Sequence, residues 1–196
     1  MLAMNTKLWQ IEIANLTKKY GKRVILKNLN LTITSDKINL LRGHNGLGKS
    51  TLLQCLAELI KYQGLVTTNF SELAYCPERF ILPEYILVRD LFTLIPLNQT
   101  LVSGLLTRFK VDPGLRMKAL SKGMHQKILL TLTLAREVDA YLFDEPLNGL
   151  DDEAIQIFVD TINNLHLQGK MIIIATHNPS CFQSLNIKTI MLGDYL

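Results

Sequence analysis

Apolar and polar residues alternate along the first part of the chain. The segments LWQIEIANLTKKY (8–20) and RVILKNLNLTIT (23–34) keep a period of two on either side of the turn YGKR. This period is typical of strands that bury one face. The pattern therefore predicts an antiparallel pair of strands joined by a tight turn.

Further along, short apolar runs alternate with longer segments of helical period. The predicted strands are KINLLRG (37–43), GLVTTN (64–69), ELAYCP (72–77), AYLFDEP (140–146), MIIIATH (171–177) and IKTIML (187–192). The predicted helices are KSTLLQCLAELI (49–60), a helical region over about 87–120 with turn signals at Pro96 and DPG, a helix from Ser121 and a helix over 151–167. This alternation predicts an α/β fold with a mostly parallel sheet covered by helices.

The composition is that of a globular domain. A chain of 196 residues with 48% apolar residues can form one domain around a buried core. No apolar run approaches the roughly 18 residues that span a bilayer, and the N-terminal residues lack the apolar block of a signal peptide. Three separated cysteines without metal-ligand spacing favour buried thiols in a reducing compartment. We therefore expect the chain in the cytosol.

The charges are unevenly distributed. Residues 105–138 carry seven basic and two acidic side chains, whereas residues 139–196 carry two basic and eight acidic ones. A solvated face explains such a basic run, and a docking or anion-facing surface is the alternative. The net charge of +4 is too small to indicate DNA or RNA binding by itself, and we expect no nucleic-acid partner.

The segment LLRGHNGLGKST carries the pattern G-x-x-x-x-G-K-[ST] between a predicted strand and a predicted helix. Glycines let successive N–H groups surround a phosphate, and the helix dipole adds positive potential there. Lys49 can reach the β- and γ-phosphates, and Ser50 can ligate Mg²⁺. We predict a nucleotide site formed by Gly43, Asn45, Gly46, Gly48, Lys49, Ser50 and Thr51.

Other candidate residues lie near the ends of predicted strands. Asp144 could hold Mg²⁺ and Glu145 could polarise an attacking water, although an acidic pair here also serves as a helix cap. His177 is a candidate γ-phosphate contact or a structural histidine. Tyr20 could stack on a base or be a plain hairpin aromatic, and Glu78 could be a surface residue.

The order of these segments resembles the ATPase subunit of an ATP-binding cassette (ABC) transporter, and the resemblance covers residues 9–192. LSKGM (120–124) falls at the family's signature segment and NGLD (148–151) at its dimer-crossing loop. A signature followed by a histidine at this spacing is highly specific. The resemblance implies one domain over 1–196, with a P-loop (RecA-like) α/β core, an antiparallel β subdomain from strands in about 1–35 and 63–76, and a short helical subdomain over about 83–125.

Roles for the site residues follow from the same resemblance. Tyr20 would stack on the adenine of ATP, and Lys49 would bind its phosphates. Asp144 would hold Mg²⁺, Glu145 would be the catalytic carboxylate, and His177 would be the switch histidine.

The family works as a head-to-tail dimer. Ser121 and Gly123 of one subunit would contact the γ-phosphate bound to the other subunit. The implied partners are a second ATPase subunit and a separate transmembrane permease, which would hold the chain at the inner face of the membrane.

Two departures from the family pattern bear on the direction of transport. Lys122 replaces the first glycine and Met124 the glutamine of the signature, while Glu78 replaces a glutamine and can still touch the metal or its water. Both variants are similar to those of exporter branches, which favours export. The alternatives are a soluble ABC ATPase of DNA repair or translation, whose long inserts this sequence lacks, and a nucleotide switch without turnover.

Overall fold

The computed structural model describes residues 7–195, so residues 1–6 of the predicted β subdomain and Leu196 lie outside the described residues. The strands in this range are β1 (Gln10–Tyr20), β2 (Arg23–Thr34), β3 (Ile38–Arg42), β4 (Gln63–Thr68), β5 (Leu73–Cys76), β6 (Ala140–Asp144), β7 (Met171–Ala175) and β8 (Ile187–Met191). The α-helices are α1 (Lys49–Leu56), α2 (Val88–Thr93), α3 (Gln99–Arg108), α4 (Lys122–Leu134) and α5 (Asp152–Leu167). Short 3-10 turns occur at Met117–Ala119, Ser180–Phe182 and Leu192–Tyr195.

The predicted N-terminal hairpin is present. β1 pairs antiparallel with β2, and Tyr20 faces Arg23 across a turn in which Gly21 has a φ of +57°. β4 adds to the other side of β1, which gives the order β2-β1-β4. The inward face of this sheet buries Ile11 and Ile13.

The second sheet is parallel and has the order β5-β6-β7-β3-β8. Every residue of β6 and β7 is buried, which explains their continuous apolar sequence, since a parallel sheet is covered on both faces. Tyr141 and Phe143 pack in one core cluster, while Ala140 and Leu142 pack in another. The predicted α/β class with a mostly parallel sheet is confirmed.

The helix after the phosphate-loop pattern is shorter than predicted. It ends at Leu56 instead of Ile60, because Glu58 adopts a left-handed φ of +56°. The N–H of Leu59 then donates to the carbonyl of Gln54 and that of Glu58 to the carbonyl of Cys55. These two bonds form a Schellman motif, which closes a helix and usually has glycine at the left-handed position.

The predicted helical region over about 87–120 is divided in the structure. It contains α2, α3 and the turn Met117–Ala119, with bends, turns and irregular segments between them. Asn98 caps α3 by accepting hydrogen bonds from the N–H groups of Thr100 and Leu101. Among residues 7–195, no helix combines the length and apolar character needed to cross a membrane.

Candidate active site

The loop between β3 and α1 forms the phosphate-binding pattern seen in the sequence. Gly48 precedes α1 with a left-handed φ of +104°, a conformation that glycine adopts without steric cost. Side chains cap α3, α4 and α5, whereas within residues 7–195 no side chain caps α1. The first N–H groups of α1 therefore have no side-chain partner in the described part of the chain and are available to an anion.

Lys49 is held inside this loop. Its side chain is buried, and Nζ donates to the carbonyl of Gly43 at 2.9 Å and to that of His44 at 3.4 Å. Both partners are backbone atoms of the loop itself. The ammonium group is therefore fixed beside the amides that would surround a phosphate, so little reorganisation is needed on binding.

A cavity of about 450 Å³ opens beside this loop at the carboxyl edge of the parallel sheet. It brings together most of the predicted residues, namely Asn45, Gly46, Gly48, Lys49, Ser50, Thr51, Glu78, Glu145 and His177. Its remaining lining residues are Arg23, Ile25 and Asn148. Gly43 and Asp144 do not line it, but Gly43 anchors Lys49 and Asp144 lies directly behind Ser50.

Asp144 is the buried carboxylate of the site, with 2% of its surface exposed. Burial raises the pKa of Asp144, the nearby Ser50 hydroxyl opposes the rise, and Glu78 and Glu145 add to it. Its Oδ1 atom is buried and has no hydrogen-bond partner among residues 7–195. A buried oxygen without a partner is costly unless a ligand satisfies it.

These features fit Mg²⁺ bound together with a nucleotide. Within residues 7–195, no group of three or more His, Cys, Asp or Glu side chains is arranged to hold a metal ion alone. Mg²⁺ is commonly held by one or two carboxylates, substrate phosphates and water. Asp144 and Ser50 can supply that partial set of ligands, and Glu78 lines the same cavity.

Glu145 and His177 are in direct contact. Nδ1 of His177 lies 2.7 Å from Oε2 of Glu145, and the backbone N–H of His177 donates to the same oxygen at 3.4 Å. Glu145 has a left-handed φ of +47°, unusual for a residue with a side chain. Such strain costs about 1–3 kcal/mol and is often found at functional sites. The conformation aims the carboxylate along the strand ends toward His177.

Besides Gly43 and Asp144, three more predicted site residues, Tyr20, Ser121 and Gly123, lie outside the cavity lining. Tyr20 is 48% exposed, and the Nζ of Lys18 lies 4.7 Å from the centre of its ring. Ser121 and Gly123 are at the start of α4, where the Ser121 hydroxyl oxygen accepts a hydrogen bond from the N–H of Met124. A single chain therefore brings the phosphate loop and strand ends together, but not these three residues.

The start of α4 is joined to the segment 146–151, which follows Glu145. A methyl group at Gly123 would lie 2.5 Å from the carbonyl oxygen of Gly149. Nε2 of Gln126 donates to the carbonyl of Pro146 at 3.0 Å, and Nζ of Lys127 contacts Asp151 at 2.7 Å. We call this set of contacts the α4 junction. It gives Gly123 a packing role within its own chain.

Glu78 also lines a second groove next to the cavity. This groove has a volume of about 520 Å³ and lies between the segment 78–84 and α4. Phe80 is 61% and Ile81 is 95% exposed there. Lys118, Lys122 and His125 contribute basic side chains. We call it the side groove.

A parallel sheet with this loop after an interior strand is the architecture of phosphate-loop nucleotide hydrolases. A family model described as ABC transporter matches residues 26–148. The chain belongs to the ABC transporter family and is an ATP-binding ATPase subunit. The resemblance identified from the sequence is thereby confirmed.

Individual relatives agree with this assignment. The lantibiotic transport ATP-binding protein SrtF of Streptococcus pyogenes is 30% identical over 183 residues, covering 85% of this chain and 80% of that protein. The zinc import ATP-binding protein ZnuC of Wolbachia pipientis is 30% identical over 166 residues, covering 79% of this chain and 68% of that protein. A solved ATP-binding subunit of an ABC transporter has the same fold, with a TM-score of 0.81 at 23% identity over 93% of this chain and 86% of that one.

Sequence reasoning missed the contribution of β2 to the cavity. Arg23 and Ile25 both line the cavity, in the part of β2 where its pairing with β1 is irregular. A Cβ atom at Gly48 would lie 2.9 Å from Cγ2 of Ile25, so the strand packs directly on the phosphate loop. The sequence carried no signal for this contact, because the irregular pairing of β1 with β2 changes which residues of β2 face the loop.

Proposed function

We propose that the chain binds Mg²⁺ and ATP in this cavity and hydrolyses the γ-phosphate bond to power a membrane transporter. The observation that carries the proposal is that Lys49, Glu145 and His177 come from three different segments and line one cavity. The amides of the phosphate loop and Lys49 would bind the β- and γ-phosphates. Ser50 and Asp144 would hold Mg²⁺, which offsets phosphate charge when bound.

In this proposal Glu145 orients and polarises the attacking water. Its carboxylate is 12% exposed and already fixed through Oε2 by His177, which leaves Oε1 to accept a hydrogen bond from water. His177 is 62% exposed at its side chain, so it can reach toward a γ-phosphate without displacing core residues. Phosphoryl transfer depends mainly on positioning of the nucleophile and on electrostatic stabilisation, which Glu145 and His177 would supply.

The proposal includes a head-to-tail dimer and a separate permease. Ser121 and Gly123 lie outside the cavity of their own chain, which is consistent with a role at the nucleotide of a neighbouring subunit. The side groove supports permease docking, because it combines exposed apolar side chains with Glu78, which also lines the nucleotide cavity. The chain would then lie at the inner face of the membrane, bound to the permease.

We further propose that the transporter is an exporter. Support comes from the sequence departures at Glu78, Lys122 and Met124, whereas the name of the lantibiotic transport relative, 30% identical, gives no direction. The similar identity to a zinc import protein makes the direction a separate question for experiment. Cargo accumulation inside inverted membrane vesicles supplied with external ATP would establish export. If the inverted vesicles accumulate no cargo and right-side-out vesicles take it up, the transporter is an importer.

The ATPase proposal is tested by co-expressing the chain with a candidate permease, sought among multi-span membrane proteins encoded by neighbouring genes. We expect slow hydrolysis by the isolated chain and faster hydrolysis once the permease is present. We also expect the Glu145→Gln variant to form an ATP-dependent dimer, measured by size-exclusion chromatography with light scattering. If the reconstituted complex does not hydrolyse ATP, the proposed function is wrong.

A further inference from the structure

Tyr75 is a polar residue beside Asp144 that the proposed mechanism does not use. It lies on β5, opposite Leu142 of β6. Asp144 follows Leu142 by two residues, so its side chain is on the same face of the sheet. The hydroxyl of Tyr75 reaches along this face and donates a long hydrogen bond of 3.4 Å to Oδ2 of Asp144.

Helix α1 supplies polar neighbours to both groups. Ser50 lies beside Asp144 and Gln54 beside the hydroxyl of Tyr75. Residues four apart lie on one face of a helix, so Ser50 and Gln54 face the sheet together. The result is a small polar layer between α1 and the sheet, in which Tyr75 connects Gln54 to Asp144.

The two oxygens of Asp144 therefore differ. Oδ2 is contacted by Tyr75, whereas Oδ1 is buried without a partner among residues 7–195. We infer that Tyr75 is a positioning residue that fixes the plane of the Asp144 carboxylate and directs Oδ1 toward Mg²⁺. The inference rests on the proposed role of Asp144 in binding the metal.

The physical reason lies in the freedom of an aspartate side chain. Its last torsion has a broad profile with few preferred angles, so an unrestrained carboxylate would turn either oxygen, or neither, toward the metal. A tyrosine hydroxyl is a donor at neutral pH and can bond the oxygen that the metal does not use. Outer partners of this kind orient metal ligands and contribute strongly to metal affinity.

The test compares Tyr75→Phe with the wild type in a Mg²⁺ titration of fluorescent ATP binding. The variant keeps the aromatic ring and loses only the donor. We expect half-maximal binding to need about fivefold more Mg²⁺, the factor of one net hydrogen bond. Nucleotide affinity in the presence of a chelator should stay within about twofold of the wild type, a margin below one net hydrogen bond.

Tyr141→Phe is the matched control. Tyr141 is buried at the other end of β6 and donates to the backbone carbonyl of Arg136, so the variant also loses a phenol hydrogen bond, but away from the metal. It should leave the Mg²⁺ requirement unchanged. The inference would be overturned if Tyr75→Phe and Tyr141→Phe had the same Mg²⁺ requirement. It would also be overturned if Tyr75→Phe lost the same nucleotide affinity with and without Mg²⁺.

Asp144→Asn separates this inference from the proposed function. If that variant binds nucleotide with the normal Mg²⁺ requirement, Asp144 does not hold the metal, and both proposals about it are wrong. If only Asp144→Asn changes the requirement, the metal site stands and the role of Tyr75 is wrong. If Tyr75→Phe folds poorly, Gln54→Met replaces it as the test, because this variant removes the polar neighbour of the Tyr75 hydroxyl. We expect the Mg²⁺ concentration for half-maximal binding to rise by about twofold. An unchanged Mg²⁺ requirement in Gln54→Met would contradict the inference.

Discussion

Two helices of this protein begin with sequences that can bind phosphate, and their starts differ. α1 begins after Gly48 at the edge of the cavity, and no side chain among residues 7–195 caps it. α4 begins after Ser121, whose hydroxyl oxygen already accepts the N–H of Met124. The first backbone N–H groups of α1 are available to a ligand, whereas one of those of α4 already has a partner in Ser121.

The difference shows what one chain can reveal about its function. At α1 the ligand is implied by unsatisfied groups in a cavity, so nucleotide binding follows from local physical rules. At α4 the helix start is exposed and capped, and neither Ser121 nor Gly123 lines the nucleotide cavity. The role proposed for this helix start requires a second subunit and therefore rests on the resemblance to the family.

The largest effect should come from Glu145→Gln, measured as phosphate release by the complex with permease. The amide keeps the shape of the side chain and loses the base, so hydrolysis should fall by about 10²–10⁴-fold. Glu153→Gln is the control, because Glu153 is an exposed residue paired with Lys110. Wild-type hydrolysis by Glu145→Gln would show that another group activates the water.

Lys49→Ala should weaken ATP binding at least about tenfold, or roughly 1.4 kcal/mol. The substitution removes a charge that the loop carbonyls hold beside the proposed phosphate position, and charge-assisted bonds are strong. Isothermal titration with Lys110→Ala as a control measures the loss. An unchanged affinity in a normally folded variant would contradict the assignment of the loop.

Asp144→Asn should raise the stability of the nucleotide-free protein. Burial raises the pKa of Asp144 in the folded state. As pH rises through that pKa, the carboxyl ionises in a buried position, and the free energy of unfolding falls. Removing that charge at neutral pH should increase Tm by about 2–4 °C if the gain is near 1 kcal/mol. Differential scanning fluorimetry measures the change in Tm, with Asp160→Asn at an exposed position as the control. A lower Tm for Asp144→Asn than for the wild type would contradict the prediction.

The smallest effect on nucleotide binding should come from Ser121→Ala. Loss of the cap costs about 1 kcal/mol of stability, but monomer ATP affinity should stay within about twofold, less than the contribution of one hydrogen bond. In the Glu145→Gln background the variant should weaken the ATP-dependent dimer, measured by light scattering.

Asn98→Ala is the matched control for that experiment, because it removes the cap of α3 without touching α4. If both cap variants weaken the dimer equally, the effect is one of stability and Ser121 has no special role. Gly123→Asp is less informative than Ser121→Ala, since any side chain there would collide with Gly149.

Much of the nucleotide cavity could be predicted because its parts follow local rules. The phosphate-loop pattern fixes one part, and parallel pairing brings the ends of β6 and β7 to the same edge. Arg23, Ile25 and Tyr75 could not be found in this way, since their positions depend on how the hairpin packs on α1 and how β5 pairs with β6. The early end of α1 was also hidden, because Glu58 occupies a position where glycine is the usual signal.

The α4 junction bears on which sequence changes this segment tolerates. Lys122 is exposed and Met124 is half-buried at the edge of the core, so both positions hold a long side chain that Gly123 cannot. Gly123 lies against the carbonyl of Gly149 and has no room for a methyl group. In a library of random variants, we therefore expect substitutions to accumulate at Lys122 and Met124 and to be depleted at Gly123, even in a chain selected only for folding.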